Sequence, residues 1–279
     1  MSTGTSAPRV GRRAAVLGSP IAHSRSPQLH LAAYRALGFA DWSYERIECS
    51  AERLPTLVSG FGREWVGLSV TMPGKFAALR FAGERTPRAE LVGSANTLVR
   101  TESGWRADNT DIDGVTGALG SVYGGQQRSG GGAGSAAILG SGGTAPAALA
   151  GLAELGVQDV SIIARNRDKV SSLLDLGSRL GIEARWVELG APLGDVAVVV
   201  NTIPADVAAR YADTVAGTPV LLDAIYDPWP TPLARAVTAA GGRVISGLQM
   251  LLHQAFAQVE QFTCRPAPKE AMIEALGGP

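Results

Sequence analysis

Short apolar runs alternate with amphipathic stretches along most of the chain. AAVLG at 14–18 is an apolar run closed by glycine and followed by Pro20, as expected of a buried strand and its turn, and QLHLAAYRALG at 28–38 has helical spacing with a terminal glycine. WSYERIEC at 42–49 and WVGLSV at 65–70 read as two more strands, with a helix over ERLPTLVSG at 52–60 that carries Pro55 near its start. This alternation predicts an α/β domain.

A second series starts at AAILG, 136–140, and continues with an alanine-rich helix over 144–156, the strand VSIIAR at 160–165 and a helix over 168–181. VAVVVNTIP at 196–204 and PVLLDAIY at 219–226 then read as buried strands, followed by a helix over 231–242 and the strand RVIS at 243–246. A doubly wound parallel sheet accommodates this order. The glycine-dominated stretch YGGQQRSGGGAGS at 123–135 cannot bury enough surface to pack, so it is either a flexible connection or a long surface loop within one domain. The expected division is a first α/β domain over 1–112, a connecting helix and Gly-rich linker over 113–135, and a Rossmann-like domain over 136–246. The long amphipathic helix at 248–262 is expected to pack back on the first domain, completing it with residues 247–279.

Composition narrows the function. A chain of 279 residues can bury two cores of ordinary size. Charged residues make up 18%, with 25 acids against 25 Lys plus Arg, so neither a nucleic-acid face nor an acidic tail is suggested and a small-molecule partner is expected. No run of about 18 apolar residues predicts a membrane span, and the start of the chain lacks the apolar stretch of a signal peptide. With only Cys49 and Cys264, a disulfide framework or cysteine-zinc site is not expected, which fits a cytoplasmic protein. His23, His30 and His253 are not spaced as metal ligands, and no metal is expected.

GSGGTA at 140–145 matches the glycine-rich dinucleotide pattern between a predicted strand and a predicted helix. Gly140 permits the turn, Gly142 lets backbone approach a pyrophosphate, and Ala145 allows close helix packing, while free N–H groups and the helix dipole face the phosphates. After the next strand the chain reads Arg165, Asn166, Arg167 where NAD-specific folds place an acid. The arginines suit a 2′-phosphate, and Asn166 can bond ribose or phosphate, so NADP is expected. Alternatively both arginines are solvated and Asp168 caps the following helix.

TMPGK at 71–75 and ADNTDIDG at 107–114 place Lys75 and Asp111 where packing does not account for them. A lysine beside a carboxylate can hold a hydroxyl and move its proton, which with a nucleotide loop points to a dehydrogenase. Read singly, Lys75 is a surface residue after Pro-Gly and Asp111 a helix cap. GSPIAHSRSP at 18–27 puts Ser24 and Ser26 before a helix started by Pro27, where hydroxyls either cap the helix or bind a carboxylate.

GSPIAHSRSP, SVTMPGK, GSANTL, DNTDIDG, GSGGTA, YDPWPTPL and GLQMLLHQ follow one another over most of the chain. In this the chain resembles the shikimate dehydrogenases. The resemblance implies NADPH-dependent reduction of 3-dehydroshikimate to shikimate in aromatic amino acid biosynthesis. It implies Ser24 and Ser26 on the substrate carboxylate, Thr71, Lys75, Asn96 and Asp111 around its oxygens, and Tyr226 and Gln254 closing the substrate side. Gly140, Ser141, Gly142, Gly143 and Thr144 are expected to cradle the pyrophosphate, with Arg165, Asn166 and Arg167 at the adenosine end and Ala224 and Gly247 beside the nicotinamide. Lys75 and Asp111 are the expected catalytic pair. A monomer or homodimer is expected. The chain departs from the commoner pattern at Ser69, at Arg165 to Arg167, and at Asn201, Thr202, Ile203 and Pro204. A quinate dehydrogenase using NAD, or a noncatalytic NADP-binding sensor, stands as the alternative. Trp65, Trp105, Trp186 and Trp229 are expected to pack in cores or at the hinge.

Overall fold

The computed structural model describes residues 11–123 and 134–277. The connection expected over 123–135 lies almost wholly outside them. The first series of elements is β1 (Arg13–Gly18), α1 (Ser26–Ala36), β2 (Ser43–Glu48), α2 (Leu54–Ser59), β3 (Trp65–Val70), α3 (Lys75–Phe81), β4 (Glu84–Arg85), α4 (Pro87–Val92), β5 (Thr97–Arg100), β6 (Trp105–Asp108) and α5 (Asp111–Tyr123). Its strands form one mixed sheet in the order β2-β1-β3-β5-β6-β4. β1, β2 and β3 run parallel, whereas β5 is antiparallel to both β3 and β6.

The second series is β7 (Ser135–Leu139), α6 (Ala145–Glu154), β8 (Asp159–Ala164), α7 (Ser171–Leu180), β9 (Glu183–Glu188), β10 (Val198–Asn201), α8 (Ala205–Ala208), α9 (Ala212–Val215), β11 (Val220–Asp223), α10 (Pro232–Ala239) and β12 (Arg243–Ser246). These six strands are all parallel, in the order β12-β11-β10-β7-β8-β9, the doubly wound arrangement. The central strands are apolar without alternation because helices cover both faces: every residue of β10 and β11 is buried. The helix expected from 168 begins only at Ser171. Asn166, not Asp168, caps this end, its Oδ1 accepting from the Asp168 N–H at 2.8 Å, and a 3-10 turn over Arg167–Val170 follows.

After β12 the chain forms α11 (Gly247–Thr263) and α12 (Lys269–Ala275). Leu252, Ala255, Phe256, Val259 and Phe262 of α11 enter the core of the first sheet with Ala14, Val16 and Leu29, so this helix does return to the first unit. Met250, nearer its start, joins the second core, to which α5 contributes Ile112, Val115 and Leu119. α5 and α11 thus cross at the junction, and they do so closely. A Cβ on Gly114 would stand 2.8 Å from the Met250 carbonyl oxygen, and one on Gly117 2.2 Å from His253 Nδ1, so both positions exclude side chains. Trp65 and Trp105 are buried as expected; Trp229 is 42% exposed, because it stands between Pro228 and Pro230 in the irregular segment after β11 rather than on a packed face.

His30 on α1 is fully buried, stacked on Tyr44 at 4.0 Å, and neither ring nitrogen has a hydrogen-bond partner. Burial pushes its imidazole from 6.5 down to about 3, the nearby Gln258 side chain offsetting only part of this. Between those values the unfolded chain carries a proton that the folded chain refuses. The stabilising contribution is therefore complete above about pH 6.5 and declines as pH falls toward 3. From pH 6.5 to 4.5 we predict a loss on the order of 2–3 kcal/mol from this residue, measurable by urea unfolding. Below about pH 4 the loss should steepen. Burial would raise the Asp108 carboxyl, but hydrogen bonds from Arg88, Thr86 and Gln261 more than reverse this and hold it at about 2, so its ion pair is given up as pH drops through that range. His30→Phe should flatten the upper part of the profile; an unaltered slope would contradict this origin.

Candidate active site

Most of the polar residues picked out in the sequence converge where the parallel strands of both sheets have their carboxyl ends, the place where open α/β sheets form crevices. Lys75 is the first residue of α3, delivered by β3 and a turn closed by the Gly74 N–H on the Thr71 carbonyl at 2.8 Å. A cation at a helix start is opposed by the helix dipole, and no acid in the first turn of α3 offsets it. The compensation comes from Asp111 at the start of α5. Lys75 Nζ donates to Asp111 Oδ2 at 2.5 Å, with both residues more than nine-tenths buried.

The hairpin of β5 and β6 explains how Asp111 arrives there. Thr97 pairs with Asp108, so Asn96 just before β5 and Asp111 just after β6 come out at the same end. Asn96 Nδ2 donates to Asp111 Oδ1 at 2.9 Å, and the Thr110 N–H donates to Asn96 Oδ1 at 2.7 Å, which fixes the amide's orientation. The carboxylate is thus held through both oxygens. Asn109 Oδ1 accepts the Asp111 N–H at 3.1 Å. Behind this turn Arg88 grips Asp108 through two nitrogens, at 2.7 and 2.6 Å, and reaches Asp113 at 2.7 Å.

Lys75 and Asp111 line a cavity of about 370 Å³ together with Ser24, Ser26, Thr71, Asn96, Tyr226 and Gln254. Ser24 and Ser26 lie at its edge on the β1–α1 segment, which Arg46 secures by donating from Nε to the Ser24 carbonyl at 2.8 Å. Pro27, which has no N–H, occupies the first turn of α1, where the Ser26 N–H donates to Ser24 Oγ at 3.3 Å and the Gln28 N–H to the Arg25 carbonyl at 3.1 Å, so the helix start ties the two serines together rather than leaving free N–H groups beside them. The second unit supplies Tyr226, whose phenol is pushed up by burial, with Ala224 and Gly247 close by. A Cβ on Gly247 would lie 2.3 Å from the Ala224 carbonyl oxygen, so glycine is required for that approach. His23 Nδ1 stands 3.0 Å from Asp227 Oδ2, linking the serine segment to the segment carrying Tyr226.

Ser141 and the other residues of the glycine turn sit between β7 and α6. Gly140 has φ +109°, and Gly142 has open space where a side chain would be. The start of α6 carries no side-chain cap, since Thr144 at that position accepts instead from Lys75 Nζ at 3.0 Å. Sequence reasoning gave Thr144 to the phosphates and missed this second contact. Arg165, Asn166 and Arg167 are exposed at the carboxyl end of β8, outside the cavity. Uncapped N–H groups, room at Gly142 and two exposed guanidinium groups fit a phosphorylated dinucleotide.

Also missed was Asp223, fully buried at the end of β11. It accepts from Asn201 Nδ2 at 2.9 Å, the Ile225 N–H at 3.1 Å and Thr231 Oγ1 at 2.5 Å, and so shapes the segment bearing Ala224 and Tyr226. A polar residue closing an apolar strand was the available signal. A second hollow, about 510 Å³, opens at the opposite ends of the second sheet's strands and contains Asp195 and Asp213, and among the described residues no lysine or histidine lines it. Among the described residues no group of three or more His, Cys, Asp or Glu is placed to hold a metal ion, and no helix is long and apolar enough to cross a membrane.

Residues 16–98 match a family model described as the shikimate dehydrogenase substrate binding domain, and residues 247–276 one described as the shikimate 5'-dehydrogenase C-terminal domain. The shikimate dehydrogenase (NADP(+)) of Microcystis aeruginosa is 32% identical over 280 residues, covering 94% of each chain. The crystal structure of Mycobacterium tuberculosis shikimate dehydrogenase superposes with a TM-score of 0.88 at 68% identity, covering 95% of this chain and 99% of that one. Shikimate 5-dehydrogenase of Thermus thermophilus, solved in complex with NADP(H) and shikimate, gives 0.76 at 29% identity, with coverage of 95% and 98%.

Proposed function

The chain belongs to the shikimate dehydrogenase family, and from that premise we propose that it catalyses the reversible reduction of 3-dehydroshikimate to shikimate with NADPH, in the route to aromatic amino acids. The observation that carries this is the buried Lys75–Asp111 pair at 2.5 Å, in a cavity that also holds Ser24, Ser26 and Ala224 and reaches the glycine turn through Thr144.

NADPH, when bound, supplies the hydride. Lys75 holds the substrate oxygen and gives it a proton as negative charge develops there; in the direction of oxidation, neutral Lys75 takes that proton back. Asp111 accepts from a substrate hydroxyl and anchors the Lys75 ammonium, while Asn96 keeps the carboxylate turned toward it. Ser24 and Ser26 receive the substrate carboxylate through their hydroxyls. Thr71 and Gln254 orient the ring oxygens, and Tyr226 closes the cavity from the second unit. Gly140 to Thr144 receive the pyrophosphate, Arg165, Asn166 and Arg167 the adenosine phosphate, and Ala224 and Gly247 the nicotinamide.

The separate sheets support the proposed division into a substrate domain over 1–112, completed by 247–279, a connecting segment over 113–135 and an NADP domain over 136–246. We place it in the cytoplasm, as a monomer or a homodimer.

Retention of both serines and of the arginines favours shikimate and NADP over quinate and NAD. Replacing Arg165 and Arg167 together with alanine is expected to raise KM for NADP+ by about 10- to 100-fold, through loss of charge-assisted bonds to the 2′-phosphate, with KM for shikimate unchanged. Steady-state kinetics with NADP+ and NAD+ test this. An undiminished preference for NADP+ in the double variant would remove the arginines from cofactor recognition.

A further inference from the structure

The hydrogen-bond chain beneath the cavity has a direction, and its fixed ends reveal it. Gln258 on α11 is fully buried, and its Nε2 lies 3.2 Å from the main-chain oxygen of Asn96, which can only accept. The same Nε2 lies 2.9 Å from Thr97 Oγ1. The hydroxyl of Thr97 can in turn donate to Asn96 Oδ1 at 2.8 Å, an oxygen whose identity is set by the Thr110 N–H. The Gln258 amide must therefore aim Oε1 at Ser69. Ser69 Oγ, 2.6 Å away, donates to it and so commits its one proton.

Tyr44 lies on the other side of Ser69, with its hydroxyl 2.6 Å from Oγ. Since the Ser69 proton is spent, Tyr44 must be the donor. Ser69 lines the cavity and retains one lone pair, so what it offers a ligand is an acceptor without a donor. Such a group receives a substrate hydroxyl and turns away a carboxylate or ketone oxygen. Tyr44 itself does not reach the cavity. Its ring is clamped against His30 at 4.0 Å, one helical turn along α1 from Ser26, and its oxygen also neighbours the Ser26 hydroxyl.

We infer that Tyr44 is a positioning residue that fixes Ser69 as an acceptor for a substrate hydroxyl, keeping the hydroxyl-bearing side of the ring apart from the carboxylate side at Ser24 and Ser26. The inference rests on the functional reading given above.

Tyr44→Phe retains the ring and its stack while deleting the donor. It should raise KM for shikimate by about 5- to 10-fold, the worth of one buried hydrogen bond, with kcat and KM for NADP+ within about 2-fold of the parent. Ser69→Ala should do the same. Because Tyr44 acts through Ser69, the double variant should be no worse than Ser69→Ala alone, whereas independent roles would multiply. An active parent with unchanged KM in Tyr44→Phe, or in Ser69→Ala should the first variant not fold, overturns the inference and leaves the functional reading intact. Multiplying effects, or a parallel loss of kcat, both KM values and melting temperature, overturn it as well. A parent that neither turns over nor binds shikimate overturns the functional reading and this inference with it.

Discussion

Lys75→Ala is expected to lower kcat for shikimate oxidation by about a hundredfold to ten-thousandfold, the usual worth of a positioned general acid-base group, while KM for shikimate moves less than about tenfold. The split follows from geometry. Lys75 Nζ is one donor among many groups around the bound substrate, so ground-state binding survives its loss, but among the described residues no other lysine or arginine lines the cavity where the oxygen gains charge. Truncation also leaves Asp111 buried beside Asn96 with its cation gone, a change that typically costs about 3–5 kcal/mol. The variant should therefore melt earlier than the parent, and the kinetics should be recorded well below that melting temperature. Near-normal turnover would remove Lys75 from the chemistry.

Asp111→Asn is expected to cost about a hundredfold or more in kcat and, unlike Lys75→Ala, to raise KM for shikimate as well. In the parent both carboxylate oxygens accept: Oδ2 from Lys75 at 2.5 Å and Oδ1 from Asn96 at 2.9 Å. An asparagine amide has only one oxygen. Whichever way it turns, its NH2 group faces either the ammonium of Lys75 or the amide of Asn96, setting donor against donor. The substitution thus releases the lysine, disturbs the Asn96 side chain that orients the β5–β6 end, and removes the acceptor for a substrate hydroxyl. Because the two residues act as a unit, the double variant Lys75→Ala, Asp111→Asn should lose much less than the product of the single losses. Normal activity with an unchanged pH-rate profile in Asp111→Asn would contradict its assignment.

Much of this architecture could be read from local pattern. The apolar runs at 136–139 and 198–200 lie buried on both faces, and a glycine turn between strand and helix announces a nucleotide site because its geometry is local. β5 and β6 escaped notice because TLVR and WRAD are four residues each, too short for a period to show, although their pairing is what brings Asn96 to Asp111. The edge strand β9, EARWVE, escaped for another reason: it is exposed and charged, and so lacks an apolar signature. Contacts remote in sequence were beyond reach altogether. Ser69 and Gln258 are 189 positions apart, and neither residue type implies the other. Trp229, expected in a core or at the hinge, is 42% exposed between two prolines in an irregular segment, where residue type says little about burial.

The Lys75–Asp111 pair has chemical meaning only if the cavity takes shikimate and the glycine turn takes NADP. The most direct measurement is the rate of nicotinamide reduction by the purified protein with shikimate or quinate, each against NADP+ or NAD+. Shikimate with NADP+ should give the highest kcat/KM of the four pairs. Inactivity with all four would contradict the enzyme reading, and preference for quinate or NAD+ would contradict the assignment of the serines or the arginines.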